Sequence, residues 1–79
     1  MDDTIRKVLA EHAQLPVEVD KLRSEDNLYE VGMTSHASVN VMLALEDEFD
    51  VEFPEAMLRK STFESISAIS TALGELAGS

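Results

Sequence analysis

The sequence predicts an all-α fold: a four-helix bundle with a long first loop and a short third helix. Apolar residues recur at helical spacing in several stretches, punctuated by prolines and charged runs. No stretch shows the apolar–polar alternation of a strand. One aperiodic segment, residues 15–34, separates the first two helices. At 79 residues the chain is expected to form one domain, 1–79, with a thin core.

The first helix is expected over residues 3–14, where Ile5, Val8, Leu9 and His12 share one face. Asp2, Asp3 and Thr4 suit its start by charge and capping, and Leu15-Pro16 should close it. The loop that follows holds charged runs, Asn27 and Gly32. A connection this long is usually functional or locally packed. Val17, Val19, Leu22, Leu28 and Val31 are the candidates to pin it to the core, with Tyr29 beside them.

The second helix is expected over 35–49 and carries two apolar faces. Val41, Leu45 and Phe49 form one stripe, flanked by Ser38 and Met42. Val39 and Leu43 lie elsewhere on the wheel, among His36, Glu46, Asp47 and Asp50. One stripe must face the core. The other is either partly covered by the long loop or, as the spacing favours, leaves two apolar side chains ringed by acids, the composition of a binding surface. Val51-Glu52-Phe53 reads as an extended connector. Pro54 suits the first position of a short helix through Lys60, with Met57 and Leu58 turned inward. Ser61 and Glu64 have capping-box spacing for a last helix over about 62–76. Its apolar face is Phe63, Ile66, Ile69 or Ser70, Leu73 and Leu76, and Gly74 and Gly78 suggest fraying.

Composition narrows the function. The net charge of −10 disfavours nucleic acid and anionic membranes as partners and favours basic protein surfaces. There is no Cys, so a disulfide framework and a thiolate metal site are excluded, and a thiol used in function must come from a cofactor. Residues 1–7 have no apolar run behind their charges, and no segment approaches membrane-spanning length, so a soluble cytoplasmic protein is expected.

The residues offer little for catalysis or metal binding. His12 and His36 fall on different helices, and the acids from Glu46 to Glu52 lack the spacing of a calcium loop, so no metal is expected. Ser35 and His36 are adjacent, but consecutive helical positions do not face each other. No nucleophile elbow surrounds Ser35. A hydrolase using Ser35 is therefore a poor reading, and no catalytic residue is assigned. Ser35 stands at a helix start, where Thr34 or Ser35 could serve simply as the cap. The same position offers unpaired N–H groups and partial positive charge, which would favour a phosphodiester attached there. The residues alone leave capping as the sufficient explanation.

The stretch Val31 to Pro54, V-G-M-T-S-H-A-S-V-N-V-M-L-A-L-E-D-E-F-D-V-E-F-P, resembles the acyl carrier protein family. That family has a Leu/Val-Gly-x-Asp-Ser-Leu motif, an apolar and acidic helix, then Glu-Phe/Tyr-x-Val/Ile-x-Ile/Phe-Pro. Gly32, Ser35, Leu45, Glu46, Glu48, Phe49 and Pro54 occupy matching positions, and the likeness extends over nearly the whole chain. The resemblance implies a four-helix carrier fold and a covalent 4′-phosphopantetheine arm, derived from coenzyme A, esterified to Ser35 by a phosphopantetheinyl transferase. The arm's thiol would carry an acyl or aminoacyl group as a thioester. Partner enzymes, a loading ligase and downstream synthases or transferases with basic docking surfaces, would read His36, Val39, Leu43, Glu46 and Asp47. The carrier itself would be a monomer and not an enzyme.

Three departures point to a specialised carrier rather than the housekeeping one of fatty-acid synthesis. Thr34 replaces the usual Asp, His36 the usual Leu, and Asn40 a common acid. The pattern T-S-H-A-S-V-N-V-M-L also looks like the stand-alone aminoacyl carrier proteins, which are loaded by truncated seryl-tRNA-synthetase-like ligases. Fatty acyl cargo, if that is the load, would be expected between the helices against Met42, Phe49, Phe53, Met57, Phe63 and Ile66. The alternative from another class is a carrier fold kept as a helical interaction module without a prosthetic group.

Overall fold

The computed structural model describes residues 2–77. Its α-helices are α1 (Asp2–His12), α2 (Leu28–Val31), α3 (Ser35–Phe49) and α4 (Ile66–Leu76), with short 3₁₀ turns at Val19–Lys21, Glu55–Met57 and Lys60–Phe63. The described residues are all-helical, as the periodicity predicts. The details differ in the middle: the long loop contains α2, and within the expected short third helix the chain forms a 3₁₀ turn, Glu55–Met57.

Helix α1 buries Ile5, Val8 and Leu9 against α3 and α4. It stops at His12, short of the expected 14, because Gln14 takes the left-handed conformation (φ 54°) before Pro16 is reached. The Arg6 guanidinium, through Nη1, donates to the carbonyls of Val19 (2.8 Å) and Leu22 (2.9 Å). That cation ties the loop to α1, and no periodicity in the sequence announces it.

The loop packs through Val19, Leu22 and Leu28, as expected, whereas Val17 is 47% exposed. Asn27 starts α2: its Oδ1 accepts from the N–H groups of Tyr29 (3.0 Å) and Glu30 (3.1 Å). Gly32 ends α2 at φ 138°, and its N–H donates to the Leu28 carbonyl. A Cβ at Gly32 would lie 2.9 Å from Pro16 Cδ, so both the turn and the close approach require glycine. Met33 is then buried.

Helix α3 has the expected limits. Ala37, Val41 and Leu45 are buried, Met42 and Phe49 half-buried, and Asp50 in the left-handed conformation terminates it. Beyond it, the Phe53 N–H donates to Glu46 Oε2 at 2.8 Å. The bond turns the connector inward, where Phe53 meets Phe63 edge to face, with ring centroids 5.2 Å apart.

The short third helix is a 3₁₀ turn rather than an α-helix, for a local reason. Pro54 is extended rather than helical, and Arg59 is extended again (φ −126°, ψ 152°), so the backbone breaks on both sides of Glu55–Met57. Met57 is half-buried, but Leu58 is 50% exposed, not turned inward. Helix α4 begins at Ile66, and its cap is Ser65, whose Oγ accepts from the Ala68 N–H at 3.0 Å. Ser61 does not cap it, because residues 60–63 are spent on a 3₁₀ turn that buries Phe63. Ile66, Ile69 and Leu73 face the core and Gly74 lies inside α4; Gly78 falls outside the described residues.

Two backbone bonds join the loop to the region where α4 starts: Leu28 N–H to the Glu64 carbonyl (2.7 Å) and Ser67 N–H to the Ser24 carbonyl (2.9 Å). The resulting core is wholly apolar, centred on Ile5, Leu9, Leu28, Leu45, Ile66 and Ile69. Its effect is to hold the start of α3 and one long side of that helix at the surface.

Candidate functional site

The start of α3 resolves the choice between its two hydroxyl residues. Thr34 is the cap: its backbone is extended, and its Oγ1 accepts from the Ala37 N–H at 3.0 Å. Ser35 is the first helical residue, exposed, and its hydroxyl has no hydrogen-bond partner among the described residues. Its carbonyl accepts from Ser38 Oγ (2.7 Å). The N–H groups of Ser35 and His36 have no acceptor there either, so this end of a 15-residue helix keeps unpaired donors and its partial positive charge.

This chemistry suits a hydroxyl that is acted upon. No imidazole or carboxylate bonds to Ser35 Oγ, so nothing in the described chain activates it as a nucleophile of its own. His36 is exposed. The hydroxyl is instead accessible to another enzyme, in a setting that favours a negatively charged ester.

The second apolar face predicted for α3 is present. Val39 is 50% and Leu43 53% exposed, and His36, Asn40 and Asp47 are exposed around them. Glu46 is placed differently. It sits at the edge of this face, half-buried, with one carboxylate oxygen committed to the Phe53 N–H. Val39, Leu43, His36 and Asp47 therefore make up the open part of the face.

Ser35 and Val39 also border a groove of about 320 Å³, which shares Val39 with the open face. Tyr29, Ser38, Met42, Leu58 and Phe63 line it with them, and Arg59 and Lys60 contribute the charge. Met42 and Phe63 were expected beside cargo and are here. Phe53 and Ile66 instead belong to the core, and Phe49 and Met57 do not line this groove. Nothing in the sequence brought Arg59 and Lys60 to Ser35, because they arrive on a 3₁₀ segment with no period to read. Among the described residues, no three His, Asp or Glu side chains assemble as a metal site. No described helix is long and apolar enough to cross a membrane.

The exposed hydroxyl, the unpaired amides and a neighbouring groove with two cations and no acid all fit a phosphodiester at Ser35. Comparison with known proteins agrees with that chemistry. A family model described as a phosphopantetheine attachment site matches residues 3–73. An aminoacyl carrier protein of Agrobacterium fabrum is 48% identical over 69 residues, covering 87% of this chain and 83% of the relative. Among solved structures, the carrier protein complex from Agrobacterium tumefaciens with an engineered Bradyrhizobium japonicum glycine:carrier-protein ligase and AMP matches with a TM-score of 0.92. The identity is 44%, over 94% of this chain and 99% of that one. A complex of the Bradyrhizobium japonicum ligase with a glycylated carrier protein matches with a TM-score of 0.77 and 27% identity, over 90% and 95% of the two chains.

Proposed function

Because the chain belongs to the phosphopantetheine-attachment family of carrier proteins, we propose that it is an aminoacyl carrier whose 4′-phosphopantetheine arm is esterified to Ser35. The arm supplies the thiol that a chain without Cys lacks, and on it a carboxylic acid can be held as a thioester. The observation that carries the assignment to Ser35 is the division of labour at the helix start. Thr34 does the capping, and the Ser35 hydroxyl has no structural task.

The aminoacyl load is supported by the 48%-identical relative, an aminoacyl carrier protein, and by the glycine:carrier-protein ligase bound in similar solved structures. A glycine ligase of that kind is the proposed loading partner. A phosphopantetheinyl transferase installs the arm, and downstream transferases with basic docking surfaces receive the cargo. Residues 1–79 act as a single monomeric carrier domain in the cytoplasm. Val39, Leu43, His36 and Asp47 form the docking face, two apolar anchors within a polar, acidic rim. Glu46 supports that face by fixing the connector and offers partners its second oxygen.

The test is intact mass after incubation with coenzyme A and a broad-specificity phosphopantetheinyl transferase, with Ser35→Ala in parallel. A gain of one arm in the wild type alone is the expected result; equal gain in both would move the site elsewhere. Mass gain on adding glycine, ATP and a glycine:carrier-protein ligase to the modified protein then tests the load. A wild-type chain that accepts no arm even from the transferase of its own cell would favour the interaction module, since the docking face exists with or without an arm.

A further inference from the structure

We infer that Arg59 and Lys60 hold the phosphodiester of the arm, seating the arm in the groove beside Ser35. This rests on the attachment proposed above and adds two positioning residues to it. The argument is one of charge placement. The chain carries 16 acids against 6 Lys and Arg, so a random surface groove should be lined by carboxylates. The groove beside Ser35 contains none, and holds two adjacent cations instead.

Neither cation is spent within the fold. Among the described residues the ion pairs are Lys21–Glu18 and His12–Glu11, so Arg59 and Lys60 have no carboxylate partner. Lys60 is nonetheless positioned, with its Nζ 4.8 Å from the centre of the Tyr29 ring on the groove wall. Arg59 and Lys60 line the same groove as Ser35, the first residue of α3, whose N-terminal end carries partial positive charge. A phosphodiester on Ser35 would therefore meet charge of the opposite sign from two directions, α3 itself and residues 59–60. Beyond it, Met42, Leu58 and Phe63 offer an apolar wall to the uncharged remainder of the arm.

The test uses intact protein before and after attachment of the arm, confirmed by mass, so a failure of attachment is seen separately and first. The readouts are the amide shifts of Arg59, Lys60 and Phe63 and the emission of Tyr29. Tyr29 is the sole Tyr in a chain without Trp, so its emission reports on the groove alone. In the wild type, attachment should move all of them. In Arg59→Gln/Lys60→Gln, each compared with its own unmodified form, the seated-to-free ratio should fall about fivefold, as expected for losing exposed ion pairs. Arg59→Lys/Lys60→Arg should retain the wild-type response. Raising salt to about 0.5 M should weaken it without any substitution, because the Debye length then shrinks to a few ångströms. Shift changes confined to the start of α3 in the wild type would overturn the inference. So would a response indifferent to both charge removal and salt.

Discussion

Helices α3 and α4 begin with the same device and end up with different neighbours. Thr34 and Ser65 are both extended, and each accepts from the N–H three residues on at 3.0 Å. After Ser65 comes Ile66, fully buried, so the first helical residue of α4 is part of the core. After Thr34 comes Ser35, exposed, with an unused hydroxyl. One hydroxyl is enough to cap a helix. The second hydroxyl at α3 has no partner among the described residues, so the proposed attachment there would break no bond of the fold.

That contrast can be broken most sharply at the first helical residues. Ser35→Ala should abolish attachment of the arm, read by intact mass, while shifting stability by no more than about 0.5 kcal/mol in urea unfolding. A large loss of stability would mean that Ser35 has a structural task after all. Ile66→Ala should do the reverse. It should cost about 2–5 kcal/mol, a large fraction of what a domain of this size possesses, because a buried side chain is replaced by a cavity. Arm attachment at a temperature where the variant remains folded should be unaffected.

The caps themselves sharpen the comparison. Thr34→Ala and Ser65→Ala should each cost about 1 kcal/mol in chemical unfolding and agree with one another within about 0.5 kcal/mol, since the bonds they lose have the same geometry. A much larger cost at Thr34 would show that the start of α3 is built on more than its cap. The smallest effect should come from salt. Acids crowd from Glu46 to Glu55, and only Lys21 among the Lys and Arg residues is ion-paired within the described structure. Screening with about 0.2 M sodium chloride should therefore raise Tm by about 2–4 °C. A fall would indicate that attractive pairs outweigh the repulsion.

What the sequence revealed follows from what periodicity can encode. Helix α3 is long enough for its apolar repeats to fix both limits and to separate the buried stripe of Val41 and Leu45 from the open face of Val39 and Leu43. Helix α2 and the 3₁₀ turns are too short to have a period. Their existence depends on single groups, the Asn27 amide and the extended backbone at Pro54 and Arg59. Ser61 with Glu64 satisfied a capping pattern that the chain does not use, because burial of Phe63 decided where α4 could begin. At the site, Thr34 and Ser35 were equivalent as candidate caps, and only the backbone geometry separates them. Arg59 and Lys60 were invisible as site residues because their relation to Ser35 is spatial.

The contact between Gly32 and Pro16 has a practical consequence for chimeric carriers. The glycine that opens the Gly32–Ser35 stretch is required by the turn that ends α2 and by the close approach of a proline at the far end of the long loop. Exchanging the short motif alone between two carriers would transplant a constraint without its cause. The natural module for grafting runs from Pro16 through Ser35, and its recipient must also supply an arginine at the position of Arg6 to hold the carbonyls of Val19 and Leu22.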